Sequence, residues 1–101
     1  MQNKTADTEL MALVLNGNQS AYTELVKRHQ RFVFTLALRF SKNQEDAEEI
    51  SQDCFINAYR FLHTFKQTSK LSTWVYSIVY TTAMTSLRKK RLDTQIVDDE
   101  L

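Results

Sequence analysis

A chain of 101 residues with 43% hydrophobic residues is long enough for one modest core and short for two domains. One glycine and no proline leave little turn chemistry, which disfavours a β-rich fold and favours an all-helical one. The single cysteine excludes an internal disulfide, and no apolar run approaches the ~20 residues of a membrane-spanning helix. We therefore expect a cytoplasmic protein with no membrane insertion.

The charges are sorted along the chain, although their total is only +1. Residues 1–64 carry seven basic and eight acidic side chains, residues 65–91 carry six basic and none acidic, and residues 92–101 carry four acidic and none basic. A near-neutral composition thus contains a basic segment followed by an acidic tail, which is typical of a protein with an anionic partner. We expect residues 1–91 to form the folded domain and residues 92–101 to begin a flexible acidic linker.

Apolar periodicity predicts two helices in the first 41 residues. The first carries Leu10, Leu13 and Val14 and ends at Asn16 and Gly17, where glycine tolerates a left-handed exit from a helix. Asn18 can cap the second helix, which extends to about residue 41. Residues at helical spacing predict its core side, and these are Ala21, Leu25, Phe32, Leu36 and Phe40.

A third helix is predicted after Asn43, whose side chain can cap it, with Glu45 and Asp46 in the first turn, where the helix dipole favours negative charge. The residues on its apolar face are predicted to point into the core. They are Ala47, Ile50, Cys54, Ala58, Phe61, Leu62 and Phe65. The opposite face carries Glu45, Glu49, Gln52, Asp53, Ile56, Arg60 and His63. Residue type alone leaves two interpretations of this opposite face open, an inert acidic surface and a docking site for a basic partner.

A fourth helix is predicted after a break at residues 66–69, with Ser69 as its cap and an end near Arg91. Its predicted inward side comprises Leu71, Val75, Ile78, Val79 and Thr82. A second stripe combines an aromatic ring, hydroxyls and a cation: Trp74, Ser77, Thr81, Thr85 and Arg88. Trp74 alone is more typical of a core aromatic residue. The whole stripe, followed by three further basic residues, favours contacts with DNA backbone and bases.

An enzyme is disfavoured by the same sequence. His29 and His63 lie on different predicted helices, and neither has metal-ligand spacing to the other or to Cys54. Cys54 lies on the apolar face of the third helix, where a buried, inert thiol is expected. A chain with one glycine can scarcely build a glycine-rich phosphate loop. We therefore expect neither a catalytic site nor a cofactor or metal, and no small-molecule substrate.

Several segments, in this order, resemble region 2 of bacterial RNA polymerase sigma factors, in the extracytoplasmic-function (ECF) group of the sigma-70 family. They are AEEISQDCF at residues 47–55, Phe65, KLSTWVYSI at residues 70–78, and LRKKR at residues 87–91. The opening of the chain is also similar to that family, at Asp7, Glu9, Leu10, Gly17, Asn18, Ala21, Tyr22 and Leu25. The resemblance spans residues 7–91 and rests on the ordered set of segments and their gaps.

The resemblance implies a compact all-α bundle of about four helices that serves in transcription initiation. It implies that four residues bind the clamp coiled coil of core RNA polymerase: Glu49, Gln52, Asp53 and Ile56. It implies that a second set binds the minus-ten promoter element, in particular its non-template strand: Lys66, Lys70, Ser72, Thr73, Trp74, Ser77, Thr81, Arg88, Lys89, Lys90 and Arg91. In this family the loop at residues 65–69 captures an unstacked base. The alternative is a helical protein-interaction module that does not read DNA.

The fourth helix departs from the family pattern at the positions expected to read DNA. Thr81 stands where the family often has Asn, Thr85 where it often has Asp, and Ser77 and Tyr80 replace frequent basic residues. A hydroxyl makes fewer hydrogen bonds than an amide, so the promoter preference is expected to be altered or weaker. The resemblance also implies a second helical domain in a longer protein, and it allows a possible anti-sigma factor as a further partner.

Overall fold

Four α-helices make up the computed structural model, which describes residues 5–66 and 68–100 and the side chains of these residues up to position 93. The helices are α1 (Asp7–Leu15), α2 (Gln19–Ser41), α3 (Gln44–Phe61) and α4 (Leu71–Glu100). A 3₁₀ turn, Leu62–Thr64, follows α3, and no strand occurs in the described ranges. The prediction of an all-α bundle of about four helices is confirmed.

The helix boundaries predicted from capping residues are confirmed for α2 and α3. The Asn18 side chain accepts a hydrogen bond from the Ala21 backbone N–H at 3.0 Å, and the Asn43 side chain accepts one from Asp46 at 3.0 Å. Gly17 leaves α1 with a φ of 95°, as a left-handed exit requires. Lys42 takes the same left-handed conformation after α2, with a φ of 63° and without a glycine. Local chemistry therefore fixes where these helices begin and end.

The core lies where α2, α3 and α4 meet, with α1 packed against α2 and the 3₁₀ turn. The α3 side of this core consists of Ala47, Ile50, Cys54 and Ala58, all buried as predicted. Opposite them lie Val33, Leu36 and Ala37 of α2 and Val75, Val79 and Ala83 of α4. Four alanines at this interface allow the helix backbones to approach closely, and the buried stripe sets the rotation of α3 about its axis.

Three aromatic or aliphatic residues predicted for the core are exposed instead: Leu13, Phe32 and Phe61. Met11, two residues before Leu13, and Val33, the residue after Phe32, are buried. Phe61 is the last residue of α3, and the chain then tightens into the 3₁₀ turn, which has a different rotation per residue. Leu62 consequently enters the core, and the Phe61 ring remains outside it.

The fourth helix differs from its prediction at both ends. It begins at Leu71, and the Ser69 hydroxyl donates to the Lys66 carbonyl oxygen, so Ser69 is a loop residue and not the cap. At the other end the backbone remains helical through Glu100, well beyond Arg91. The intervening residues include neither proline nor glycine, so nothing in the sequence interrupts the helix. The division into a domain of residues 1–91 and a flexible linker of residues 92–101 stays a prediction.

None of the helices in the described part of the chain combines the length and the apolarity that a membrane span requires.

Two isoleucines of α3 provide a test of this packing. Ile50 is 0% exposed and Ile56 is 61% exposed. We expect Ile50→Ala to lower the free energy of unfolding by ~2–5 kcal/mol, because it removes buried methyl groups and leaves a cavity. Ile56→Ala, the matched control, should stay within ~0.5 kcal/mol of the wild type. Urea unfolding followed by circular dichroism measures both, and equal losses would contradict the described rotation of α3.

Candidate docking and nucleic-acid interfaces

The outer face of α3 presents Glu49, Gln52, Asp53 and Ile56 to solvent. Their spacing of three or four residues places them in one stripe, and the buried stripe of the same helix holds that face away from the core. The exposed Ile56 side chain adds an apolar surface among two carboxylates and an amide. This arrangement suits a partner with basic residues around a small apolar contact.

The outer face of α3 borders a groove that it shares with α4. The groove has a volume of about 350 Å³. Glu49, Asp53 and Ile56 line its α3 side, and Thr81, Thr85 and Lys89 belong to its α4 side. The predicted polymerase-binding and DNA-binding residues are therefore neighbours across one groove. The sequence predicted each set separately, and no pattern in it indicated that they adjoin.

The basic end of α4 lies close to the acidic beginning of α3. The Lys90 ammonium group contacts the Asp46 carboxylate and lies 3.6 Å from a carboxylate oxygen of Glu49. Arg88, Lys89 and Arg91 are exposed at the same end of the helix. A surface ion pair of this kind contributes little to stability. The pair does place Lys90, a predicted DNA-binding residue, against Glu49, a predicted polymerase-binding residue.

At the other end of the basic segment, two aromatic rings meet. The centroids of the Phe65 and Trp74 rings are 5.4 Å apart, and both side chains are half-buried. Trp74 packs against the core clusters and remains partly exposed. Exposed polar and basic side chains surround the pair, at Lys66, Lys70, Ser72 and Thr73. The predicted loop also contains residue 67, which lies outside the described residues.

A second groove between α3 and α4 includes a residue that sequence reasoning missed. Its volume is about 240 Å³, and its aromatic lining comes from Phe61 and Trp74. Its polar lining comes from Asn57, Ser77, Thr81 and Thr82, with Ile78 beside them. Phe61 is in phase with the core residues of α3, so periodicity alone assigns it to the core. The only sequence signal for its exposure was the adjacent Leu62, which can replace it there.

The two histidines, the remaining candidates for catalysis or metal binding, lie in ordinary structural or surface positions. The His29 Nε2 lies 3.1 Å from an Asp7 carboxylate oxygen, and Arg28 lies 3.1 Å from the other, so this cluster joins α1 to α2. His63 is exposed in the 3₁₀ turn. Among the described residues no group of three or more potential metal ligands comes together.

Burial controls the ionisation of two groups in the α2–α3 contact. It raises the pKa of the Cys54 thiol to about 12, and it is also the main cause that raises the pKa of Tyr22 to about 12. The Tyr22 hydroxyl donates a hydrogen bond to the carbonyl oxygen of Phe55, and its ring packs edge-on against Tyr59. The Cys54 thiol therefore stays protonated and unreactive near neutral pH.

The structure is a helical bundle with an acidic surface on α3 and a basic surface on α4, and the sequence profile of Sigma-70 region 2 matches residues 25–92. The chain belongs to this family, and its relatives place it among the ECF sigma factors. Sigma factors are non-enzymatic initiation factors of transcription.

Among curated relatives, the chain is 33% identical to the RNA polymerase sigma-H factor of Pseudomonas aeruginosa over 86% of its own length and 45% of that protein. It is 30% identical to the ECF sigma factor SigM of Mycobacterium tuberculosis, over 89% of this chain and 46% of that one. It is 36% identical to the ECF sigma-E factor of Escherichia coli, over 82% of this chain and 43% of that protein. The chain thus spans less than half the length of these relatives.

Two solved structures are similar to most of this chain. One is the NMR structure of an engineered region 2 of sigmaE in complex with GTAAAA, with a TM-score of 0.82 and 36% identity over 89% of this chain and 94% of that one. The other is CnrH in complex with the cytosolic domain of CnrY, with a TM-score of 0.71 and 28% identity over 80% of this chain and 53% of that one.

The pKa of Cys54 leads to a prediction for alkaline pH. In the unfolded chain the thiol ionises near its ordinary value of 9.0, whereas in the folded chain it stays protonated until about 12. Its contribution to stability is therefore complete below about pH 9 and is lost as the pH rises from there towards 12. We expect Cys54→Ala to lose stability less steeply than the wild type between about pH 8 and 10.5 in urea unfolding. Identical pH slopes would show that the thiol is accessible in the folded state.

Proposed function

We propose that this chain is the region 2 domain of an ECF sigma factor that binds core RNA polymerase and recognises and melts the minus-ten promoter element. One observation carries the proposal: an acidic outer face on α3 and a basic, aromatic α4 adjoin in a bundle similar to a region 2 solved with the oligonucleotide GTAAAA. The cytoplasm, where core polymerase works, is the proposed location.

Polymerase docking is assigned to Glu49, Gln52, Asp53 and Ile56. Their common stripe and their exposure support this role, because a basic partner surface gains electrostatic complementarity from the carboxylates and apolar contact from Ile56. The core of the domain is built on the opposite side of α3. The partner proposed for the outer face is the clamp coiled coil of core polymerase.

Promoter binding is assigned to the loop after the 3₁₀ turn and to α4. Lys66 and Lys70 lie near the Phe65–Trp74 ring pair, so phosphate contacts and stacking are available in one place. Melting costs a few kcal/mol for each unstacked base, and holding that base by stacking and edge hydrogen bonds offsets the cost. Ser72 and Thr73 supply exposed hydroxyls for backbone contacts, and Arg88, Lys89, Lys90 and Arg91 extend the cationic surface along the helix.

Sequence selection is assigned to Ser77 and Thr81. Both line the groove beside Trp74, and Thr81 also lines the groove beside Glu49. The Ser77 hydroxyl donates to the Trp74 carbonyl oxygen at 2.7 Å, which leaves its oxygen as an acceptor. Single hydroxyls discriminate between bases less sharply than a bidentate amide does. The proposed domain therefore recognises its promoter with modest selectivity.

A helical interaction module that never contacts DNA is the competing function, and the exposed acidic face alone is compatible with it. The basic, aromatic surface of α4 favours the sigma function. An anti-sigma factor that covers these faces is a further proposed partner, and a second promoter-binding domain is proposed to follow in the complete protein.

Charge reversal on α3 tests the docking assignment. We expect Glu49→Arg combined with Asp53→Arg to abolish association with core RNA polymerase, because two cations would then face a basic partner surface. The measurement is a pull-down of purified core enzyme by the tagged chain, with circular dichroism to verify that helicity is retained.

The matched control is Glu9→Arg combined with Asp93→Arg, which makes the same change in net charge at two exposed carboxylates elsewhere. This control should retain core enzyme as well as the wild type does. Undiminished capture by the α3 variant, or equal loss in the control, would rule out the assigned docking face.

Replacement of Arg88, Lys89, Lys90 and Arg91 by Ala tests the basic end of α4. We expect weaker binding to single-stranded non-template promoter DNA of any sequence, since phosphate contacts carry little sequence information. The slope of the logarithm of the binding constant against the logarithm of the salt concentration should become shallower by roughly 0.7 for each phosphate that the variant no longer neutralises. Binding is measured over a salt series, and core polymerase is added where the chain alone binds weakly.

The control for this experiment replaces four other exposed basic residues: Lys27, Arg31 and Arg39 of α2 by Ala, and Lys42, the left-handed residue after α2, by Gly. It removes the same charge from a different helix and should change the salt slope less. A weakening confined to one promoter sequence would contradict phosphate binding by the end of α4.

A further inference from the structure

Phe61 is the most exposed phenylalanine among the described large hydrophobic residues, and its ring lies outside the core of the domain. Its side chain is 46% exposed at the end of α3. Periodicity predicts both Phe61 and Leu62 for the core, and of the two only Leu62 is buried. Exposing an aromatic ring forgoes the hydrophobic stabilisation that its burial would provide. The ring instead lines the groove of about 240 Å³ that also contains Trp74.

The groove beside Phe61 combines aromatic and polar walls. The Asn57 Nδ2 donates to the Thr82 hydroxyl at 3.2 Å, and in this orientation the Asn57 carbonyl oxygen remains an acceptor. Ser77 and Thr81 add two hydroxyl oxygens from α4. Rings for stacking next to small hydrogen-bonding groups are what an unpaired nucleobase requires, since every base has a π-face and a polar edge.

Charge and size also favour a nucleobase as the occupant of this groove. Arg60 precedes Phe61 and is exposed, Arg88 lies on the same α4 stripe as Ser77 and Thr81, and residues 65–91 contain no acidic side chain. A groove of about 240 Å³ has room for a single base.

We propose that Phe61 and Trp74 form a stacking site for one unpaired nucleobase of single-stranded DNA, in addition to the loop at residues 65–69. The inference rests on the proposed function and adds a base-binding residue to it. Phe61 supplies the aromatic face, and Asn57, Ser77 and Thr81 contact the polar edge of the base.

The test uses the full chain and a single-stranded oligonucleotide that contains GTAAAA flanked by thymidines. Trp74 is the only tryptophan of the chain, so its fluorescence reports binding next to the site. We expect Phe61→Ala to weaken binding about tenfold or more, and Phe61→Leu to weaken it comparably, because leucine is apolar but does not stack. Phe61→Tyr should restore affinity. Phe32→Ala, at the other strongly exposed phenylalanine, is the matched control and should bind like the wild type.

A series of oligonucleotides with one abasic site each identifies the stacked base. At one position the abasic site should weaken binding by the wild type. The same abasic site should cause little further loss of affinity in Phe61→Ala, because that variant already lacks the ring that stacks on the base. An equal effect of Phe61→Ala on every abasic oligonucleotide would overturn the inference, as would wild-type affinity of Phe61→Ala and Phe61→Leu.

The outcomes separate this inference from the proposed function. If the Phe61 variants bind normally while alanine at Arg88, Lys89, Lys90 and Arg91 still weakens binding, the stacking site is wrong and the sigma function stands. If the wild type binds no single-stranded DNA even with core polymerase present, the proposed function fails and the stacking site fails with it.

Discussion

The contact between α2, α3 and α4 is the constraint on which the rest of the structure depends. Ala37, Ala47, Ile50 and Ala83 are fully buried in one cluster there. The three alanine side chains are small enough for the helix backbones to come close together, and a larger residue at any of these positions would push the helices apart. Close packing leaves little freedom for α3 and α4 to rotate, so it determines which residues each helix presents to solvent. Both candidate interfaces are consequences of this packing.

The packing also converts a charge pattern along the chain into a charge pattern in space. The acidic beginning of α3 lies beside the basic end of α4, and Lys90 contacts Asp46 and Glu49 where the two meet. Further along the same pair of helices, the surface changes to hydroxyls and aromatic rings at Thr81, Trp74 and Phe61. Opposite charges on one small domain suit two partners of opposite charge, whereas the net charge of +1 predicts neither.

The features that the sequence predicted correctly have local causes. Asn18 and Asn43 cap helices through hydrogen bonds to residues three positions away, and the α3 core stripe follows from helical geometry alone. Phe61 could not be placed in this way, because its exposure depends on the 3₁₀ turn that follows it and on Leu62 filling the core. The exposure of Glu49 and Asp53 was predictable from the same periodicity. Their position across a groove from Thr81 was not, since it depends on how two helices pack.

The central claim is that the stripe of Glu49, Gln52, Asp53 and Ile56 on α3 binds polymerase, whereas α4 and the aromatic groove of Phe61 and Trp74 bind single-stranded DNA. Amide chemical-shift mapping of the ¹⁵N-labelled chain, titrated with a single-stranded promoter oligonucleotide, tests it most directly. We expect shifts concentrated at Phe61, at residues 68–81 and around Arg88, with little change at Gln52. Shifts centred on Gln52 and the outer face of α3, or none on α4 at millimolar oligonucleotide, would contradict it.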